Sequence, residues 1–215
     1  MGVGLRAVSG GFTKMISSWP VSPLSIRVRD YLVDHRVRFT VALYLGAILI
    51  QVALGSHPPH FIELLEPAAA GGLSLLVCGL GLRTWAAGVL RKGKALTTTG
   101  PYALCRHPLY LGTFLMLTGF AMTFPGILPC LPSLGLLLII FWVTMRREER
   151  SMVTKYGVAW GAYAAQTPCL LPLRFSSNLK GEWSLAQWWR SREYNAVAAT
   201  AVALGALMLW GELQP

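Results

Sequence analysis

Long apolar runs separated by short charged segments set the pattern of this chain. A bilayer core of about 30 Å takes roughly 20 apolar residues of helix. Three regions meet that requirement: 39–55, 67–90, interrupted only by Arg83, and 194–210. A fourth run, 109–145, carries no charge over 37 residues, nearly twice one crossing, and holds "FPGILPCLP" at its middle. Its glycine and three prolines favour a turn and withdraw backbone donors, so this run is expected to fold as two short helices in a hairpin. The pattern predicts an all-α integral membrane protein with about five transmembrane helices including a helical hairpin, and cytoplasmic loops between them.

Charge tests that count. Of the 19 Lys and Arg residues, none falls in "SHPPHFIELLEP" or in the hairpin turn; all lie at 6–38, 83–106 or 146–192. The excess of basic residues on one side orients a membrane protein, so the N-terminus and the two long loops are expected to be cytoplasmic and the C-terminal "GELQP" on the opposite side. In a bacterium this would be the plasma or inner membrane. Anionic lipid head groups then account for the net charge of +10, and nucleic acid is not expected as a partner. With 54% hydrophobic and only 13% charged residues, and a mean hydropathy of +0.51, an ordinary soluble domain is excluded.

The chain divides on this reading into a cytoplasmic N-terminal arm (1–38), a membrane core (39–172), an interfacial segment rich in Trp and basic residues (173–193) and a C-terminal transmembrane helix and tail (194–215). Trp183, Trp188 and Trp189 suit the head-group level, either as an anchor or in contact with a lipid-like substrate. Small-residue runs such as "AAAGG" suit close helix packing, within one chain or between chains. The four cysteines, Cys78, Cys105, Cys130 and Cys169, form no Cys-x-x-Cys or Cys/His cluster, so they read as small hydrophobes, and neither disulfides nor a metal is expected.

Two polar clusters carry the candidate chemistry. In "TTTGPYALCRHPLYLG" (97–112), Gly100-Pro101 stops the preceding helix and Pro108 suits the first turn of the next. Arg106, His107 and free backbone N–H groups are thereby expected at a helix start, a corner suited to a carboxylate. The bland alternative is a cytoplasmic loop whose Arg and His meet lipid phosphates. In "RREERSMVTKYGVAWGAY" (146–163), Glu149 shares a helical face with Met145, Met152, Tyr156, Trp160 and Tyr163, and Glu148 lies one step round. Here the alternative is simple pairing with nearby arginines. Together the clusters suit a ligand with a carboxylate, an ammonium and a flat base, of which S-adenosylmethionine is one.

The order Gly100-Pro101-Tyr102, Arg106-His107-Pro108, Tyr110 and Gly112, then Glu148-Glu149, Met152, Tyr156-Gly157, Tyr163 and Leu171-Pro172, resembles the isoprenylcysteine carboxyl methyltransferase and phospholipid methyltransferase superfamily of integral-membrane enzymes. The resemblance spans about 83–172. It implies an S-adenosylmethionine pocket at the cytoplasmic side and a lipophilic acceptor entering from the bilayer. Carried over by position, Gly100, Pro101, Tyr102, His107, Pro108, Tyr110, Leu111, Gly112, Glu148 and Glu149 would bind the cofactor, with Arg106 and Glu149 nearest the transferred methyl. Trp160 stands where such proteins often have the first of two tyrosines, and the fifth helix finds no match. Rival readings are a sterol-reductase-like enzyme using a nicotinamide cofactor, with Arg91, Lys92 and Lys94 for its extra phosphates, and a non-catalytic membrane protein.

Overall fold

A computed structural model describes residues 66–91, 95–123, 131–172 and 178–213, with isolated positions between 35 and 53. The chain divides into two units, Met1–Arg36 and Val37–Pro215, and all the elements named here lie in the second. Its described residues contain helices and no strand: α1 (Pro67–Val89), a 3-10 turn (Gly100–Ala103), α2 (Pro108–Met122), α3 (Leu131–Gln166), a short α4 (Leu185–Arg190) and α5 (Tyr194–Leu213). Among the described residues, α1 and α5 are long and apolar enough to cross a membrane, and α2 is a shorter apolar helix of 15 residues. Of the expected first crossing, Phe39, Ala42, Leu43, Gly46, Leu49, Ile50 and Ala53 are described, each of them helical. The hairpin turn at 124–130 and the N-terminal arm, apart from His35, lie outside the described residues.

Prolines start α1 and α2, where the missing N–H costs nothing and the fixed φ fits the helix. These two helices pack through a glycine seam. Gly72 faces Gly119 and Gly79 faces Gly112, two antiparallel pairs spaced seven residues apart on each helix. A Cβ on Gly79 would lie 2.6 Å from the Gly112 carbonyl oxygen and 2.8 Å from the Met116 nitrogen, so the backbones touch where side chains would otherwise intervene.

The other side of α2 receives α3. Leu134 packs on Ala121 beside Phe114 and Leu117, and Leu137, Ile140, Phe141 and Met145 form a second buried cluster. Tyr110, Phe39, Leu43, Cys169 and Leu170 cover that cluster. α2 is thus held between α1 and α3, with its N-terminus at the polar end of both. The expected single helical run through 146–163 does not hold. Gly157 adopts φ 51° and ψ −120°, a break that glycine alone accepts readily, so Trp160 and Tyr163 belong to a new segment beyond it.

One charge sits inside the apolar length of α1, and the fold supplies its partner. Arg83 Nε lies 2.7 Å from Glu193 Oε1 and Nη2 lies 2.9 Å from Oε2, a bidentate pair. Nη1 also donates to the Leu109 carbonyl, at 3.3 Å, and to the Thr113 hydroxyl. Glu193 is 4% exposed, and its own carbonyl accepts the first backbone bonds of α5 from Ala196 and Val197. The pair therefore ties the start of α5 to α1 and α2. Beyond that tie α5 turns apolar surface outward, with Val202, Leu209 and Leu213 at least two-thirds exposed. Such a face suits hydrocarbon rather than water.

The Trp-rich segment folds back onto the end of α1. The Trp183 indole N–H donates to the Thr84 carbonyl at 3.2 Å and its ring fills the space over Gly88, while Ser184 N–H donates to the Gly88 carbonyl at 3.0 Å. Trp189 stacks on Tyr194 at 4.7 Å and stays exposed.

Candidate functional site

The two polar clusters of the sequence meet in one place. Gly100 takes φ 62°, a left-handed value that glycine accepts without strain, and its N–H donates to the Asn178 carbonyl at 3.1 Å. This turns the chain into the 3-10 segment, where Gly100, Pro101 and Tyr102 are buried. The Tyr163 hydroxyl donates to the Tyr102 carbonyl at 2.7 Å, fastening the turn to the segment after Gly157. Burial raises both tyrosine hydroxyls above their ordinary range, so both remain neutral donors. Burial also pushes the Cys105 thiol up to about 12.

His107 then caps α2, ahead of Pro108. The Arg106 and His107 N–H groups donate to the carbonyls of Pro168 and Cys169 at 2.9 and 3.2 Å. These two consecutive bonds correct one expectation: the backbone donors before α2 are consumed by the 167–172 loop instead of facing a ligand. They also bring that loop, which nothing in the spacing of its residues places there, beside the two clusters.

Side chains complete the centre. Arg106 Nη1 lies 2.8 Å from Glu149 Oε1, and His107 Nε2 lies 3.3 Å from the same oxygen, a bond that requires the proton on Nε2. Arg146 Nη1 is 3.7 Å from Glu149 Oε2. Tyr110 OH donates to Glu148 Oε1 at 2.7 Å, and Glu148 Oε2 faces His107 Nδ1 at 4.0 Å. The expected separate corners for a carboxylate and an ammonium are therefore one network, in which Arg106 and Glu149 pair directly. Burial opposes ionisation of Glu149. The His107 hydrogen bond and the charges of Arg106, His107 and Arg146 outweigh it and hold the carboxyl below its usual value. Cys169 is driven the other way, by burial and then by the Glu149 charge.

Arg106, His107, Tyr110, Glu148 and Glu149 thus stand together, with Tyr102 and Pro101 buried behind them in the turn. Leu111 and Gly112 are buried one turn into α2, and Gly112 faces Gly79 and Arg83 of α1. Three contributors escaped sequence reasoning: Cys169, whose Sγ lies 3.7 Å from Glu149 Oε1, and the Arg83–Glu193 pair. An arginine alone in an apolar helix is itself a signal that an acidic partner lies elsewhere in the chain.

One comparison with known proteins falls on the same stretch. The family described as phospholipid methyltransferase matches residues 69–159, from α1 to just beyond Gly157. The cobalt-zinc-cadmium resistance protein CzcN of Cupriavidus metallidurans is 35% identical over 155 residues, 69% of this chain and 69% of that protein. The nickel-cobalt-cadmium resistance protein NccN of Alcaligenes xylosoxydans xylosoxydans is 33% identical over 105 residues. That alignment takes 47% of this chain, and it spans about half of NccN, 48% of its length. No solved structure matches. With the family's residues running through α1, the Arg106–His107 turn and the paired glutamates of α3, the chain belongs to the phospholipid methyltransferase family.

Proposed function

We propose that the chain transfers a methyl group from S-adenosylmethionine to a lipophilic or membrane-partitioned acceptor at the cytoplasmic face of a membrane. The observation that carries this reading is the Arg106–His107–Glu149 network, lying within the segment that matches phospholipid methyltransferases. Its donor set suits the cofactor. Arg106 Nε is buried without a hydrogen-bond partner among the described residues, a donor suited to a carboxylate. Glu148 and Glu149 offer acceptors suited to an ammonium, and Tyr110 offers an aromatic face.

When bound, S-adenosylmethionine supplies an electrophilic methyl on a sulfonium. The protein's part is alignment and exclusion of water, which together account for much of the acceleration of such a displacement. Arg106 and Glu149 stand nearest the transferred group in this reading. Gly100, Pro101, Tyr102, His107, Pro108, Tyr110, Leu111, Gly112 and Glu148 shape the pocket. Arg106 would orient a carboxylate acceptor, which has no proton to lose; for an amine or hydroxyl, Glu148, Glu149 or His107 would take the proton.

The topology proposed with it is five crossings, with the N-terminus and the basic loops cytoplasmic and the C-terminus opposite; in a bacterium this would be the plasma or inner membrane. The names of NccN and CzcN tie those proteins to metal resistance. We extend that to this chain as a physiological setting, which growth of a deletion strain on cobalt, zinc or cadmium tests.

The reaction itself is tested by incubating purified protein with methyl-labelled S-adenosylmethionine and membrane lipid extract, then counting label in the organic phase. Transfer lost in Arg106→Ala and Glu149→Gln, in protein that remains folded, is the expected result. Full transfer in both variants, or binding of a nicotinamide cofactor in place of S-adenosylmethionine, would overturn the assignment.

A further inference from the structure

Three different metal-ligating side chains, drawn from three separate segments, converge at the centre of the network. His107 comes from the cap of α2, Glu149 from α3 and Cys169 from the loop after α3. One ligand atom of each lies within 4.8 Å of the other two. In sequence they stand 42 and 20 residues apart, and for that reason no spacing motif announces them.

Their separations can be compared with what a metal demands. Bonds of about 2.0–2.1 Å to nitrogen and oxygen and about 2.3 Å to sulfur, at tetrahedral angles, set ligand atoms roughly 3.3–3.6 Å apart. His107 Nε2 and Glu149 Oε1 are 3.3 Å apart, and Cys169 Sγ and Glu149 Oε1 are 3.7 Å apart. One side of the triangle falls in that range and the second lies just above it. The third, between His107 and Cys169, lies within 4.8 Å, and the Cys169 backbone is pinned by the His107 N–H bond to its carbonyl.

A second carboxylate stands near the other ring nitrogen of His107. A metal-bound imidazole is typically oriented by a carboxylate on its other nitrogen. Glu148 Oε2 faces His107 Nδ1 at 4.0 Å, and the Tyr110 hydroxyl fixes the far oxygen of that carboxylate at 2.7 Å. His107 is 8% and Glu149 9% exposed, so competing water is limited.

We propose that His107, Glu149 and Cys169 bind a borderline to soft divalent cation of the zinc, cobalt(II) and cadmium class, through one nitrogen, one oxygen and one sulfur. The mixed donor set selects that class over magnesium or calcium, which take oxygen ligands. Binding moves protons in a defined way. Cys169 gives its thiol proton to solvent as the metal–sulfur bond forms, and His107 binds through Nε2 with its remaining proton on Nδ1. The thiolate and the Glu149 carboxylate together match the two charges of the cation. Arg106 Nη1, now 2.8 Å from the ligating oxygen, gives up that contact. The metal and Arg106 therefore compete for Glu149. If the methyl-transfer reading holds, the cation competes with S-adenosylmethionine; metal binding itself does not depend on that reading.

Cobalt(II) is the probe, added to the full chain in detergent without S-adenosylmethionine. The expected result is one cobalt per chain with a thiolate-to-cobalt band in the near ultraviolet, displaced by zinc. That band is lost in Cys169→Ser and kept in Cys105→Ser. A second measurement needs no variant: zinc blocks alkylation of Cys169 by iodoacetamide in the unaltered protein, read by mass spectrometry. Absence of the thiolate band, its persistence in Cys169→Ser, or equal alkylation of Cys169 with and without zinc would overturn the proposal.

Discussion

Replacing Glu193 by glutamine leaves the guanidinium of Arg83 in place, with its charge uncompensated, between α1 and α2. Glu193 is 4% exposed and the Arg83 side chain 21%, so water can restore little of the lost interaction. Removing one partner of a buried ion pair costs about 3–5 kcal/mol, because the other charge stays desolvated. Here the lower end applies, since Arg83 keeps its bonds to the Leu109 carbonyl and the Thr113 hydroxyl. At about 2–4 °C per kcal/mol for a chain of this size, Tm is expected to fall by about 6–12 °C. Thermal unfolding of detergent-purified protein, followed by circular dichroism, measures it. Substituting both residues, Arg83→Met with Glu193→Leu, removes the charge along with its partner and is expected to recover most of the loss. A Glu193→Gln protein that melts within about 1 °C of the original would refute the reasoning. So would a double variant no more stable than the single one, since the penalty could not then lie in an orphaned charge.

At the glycine seam, Gly79→Ala drives a methyl into the Gly112 carbonyl and the Met116 backbone, and is expected to cost about 1–3 kcal/mol; Gly81→Ala, which meets nothing within 4 Å, serves as the control in the same melt. Because the Glu149 carboxyl is held below its ordinary value in the folded state, its contribution is complete above that value, near pH 4.5, and is lost as pH falls through the lower folded-state value. Glu149→Gln should flatten the acid limb of a stability–pH profile, and an unchanged limb would contradict the pairing. Tyr163→Phe removes the bond to the Tyr102 carbonyl and should cost about 1 kcal/mol in the same unfolding assay. Cys105, 1% exposed and with its thiol pushed up to about 12, should resist iodoacetamide at pH 8 until the protein is denatured.

Apolar length and proline placement made the helices legible. The run 67–90 became α1, Pro67–Val89, and the run from 194 became α5, Tyr194–Leu213. Pro108 marked the start of α2 because proline fits only the first helical turn. Glu149 was recognisable as unusual because a carboxylate on a stripe with Met145 must be buried or paired, and it is both. Periodicity carries no information about partners distant in sequence, and that limit explains what was missed. Arg83 and Glu193 are 110 residues apart, and Cys169 reaches Glu149 only through backbone bonds between the 167–172 loop and residues 106–107. Gly157 read as an ordinary helical position because a glycine's φ is not encoded by its neighbours' hydrophobicity. The expectation of free backbone donors at that corner failed for a related reason: whether a backbone N–H is available depends on which loop passes beside it.

Calorimetric binding of S-adenosylmethionine to the detergent-purified full chain, with Glu149→Gln in parallel, tests the central claim most directly. The account predicts saturable binding at one site per chain that weakens in the variant. No binding at millimolar cofactor, in protein shown to be folded, would contradict it.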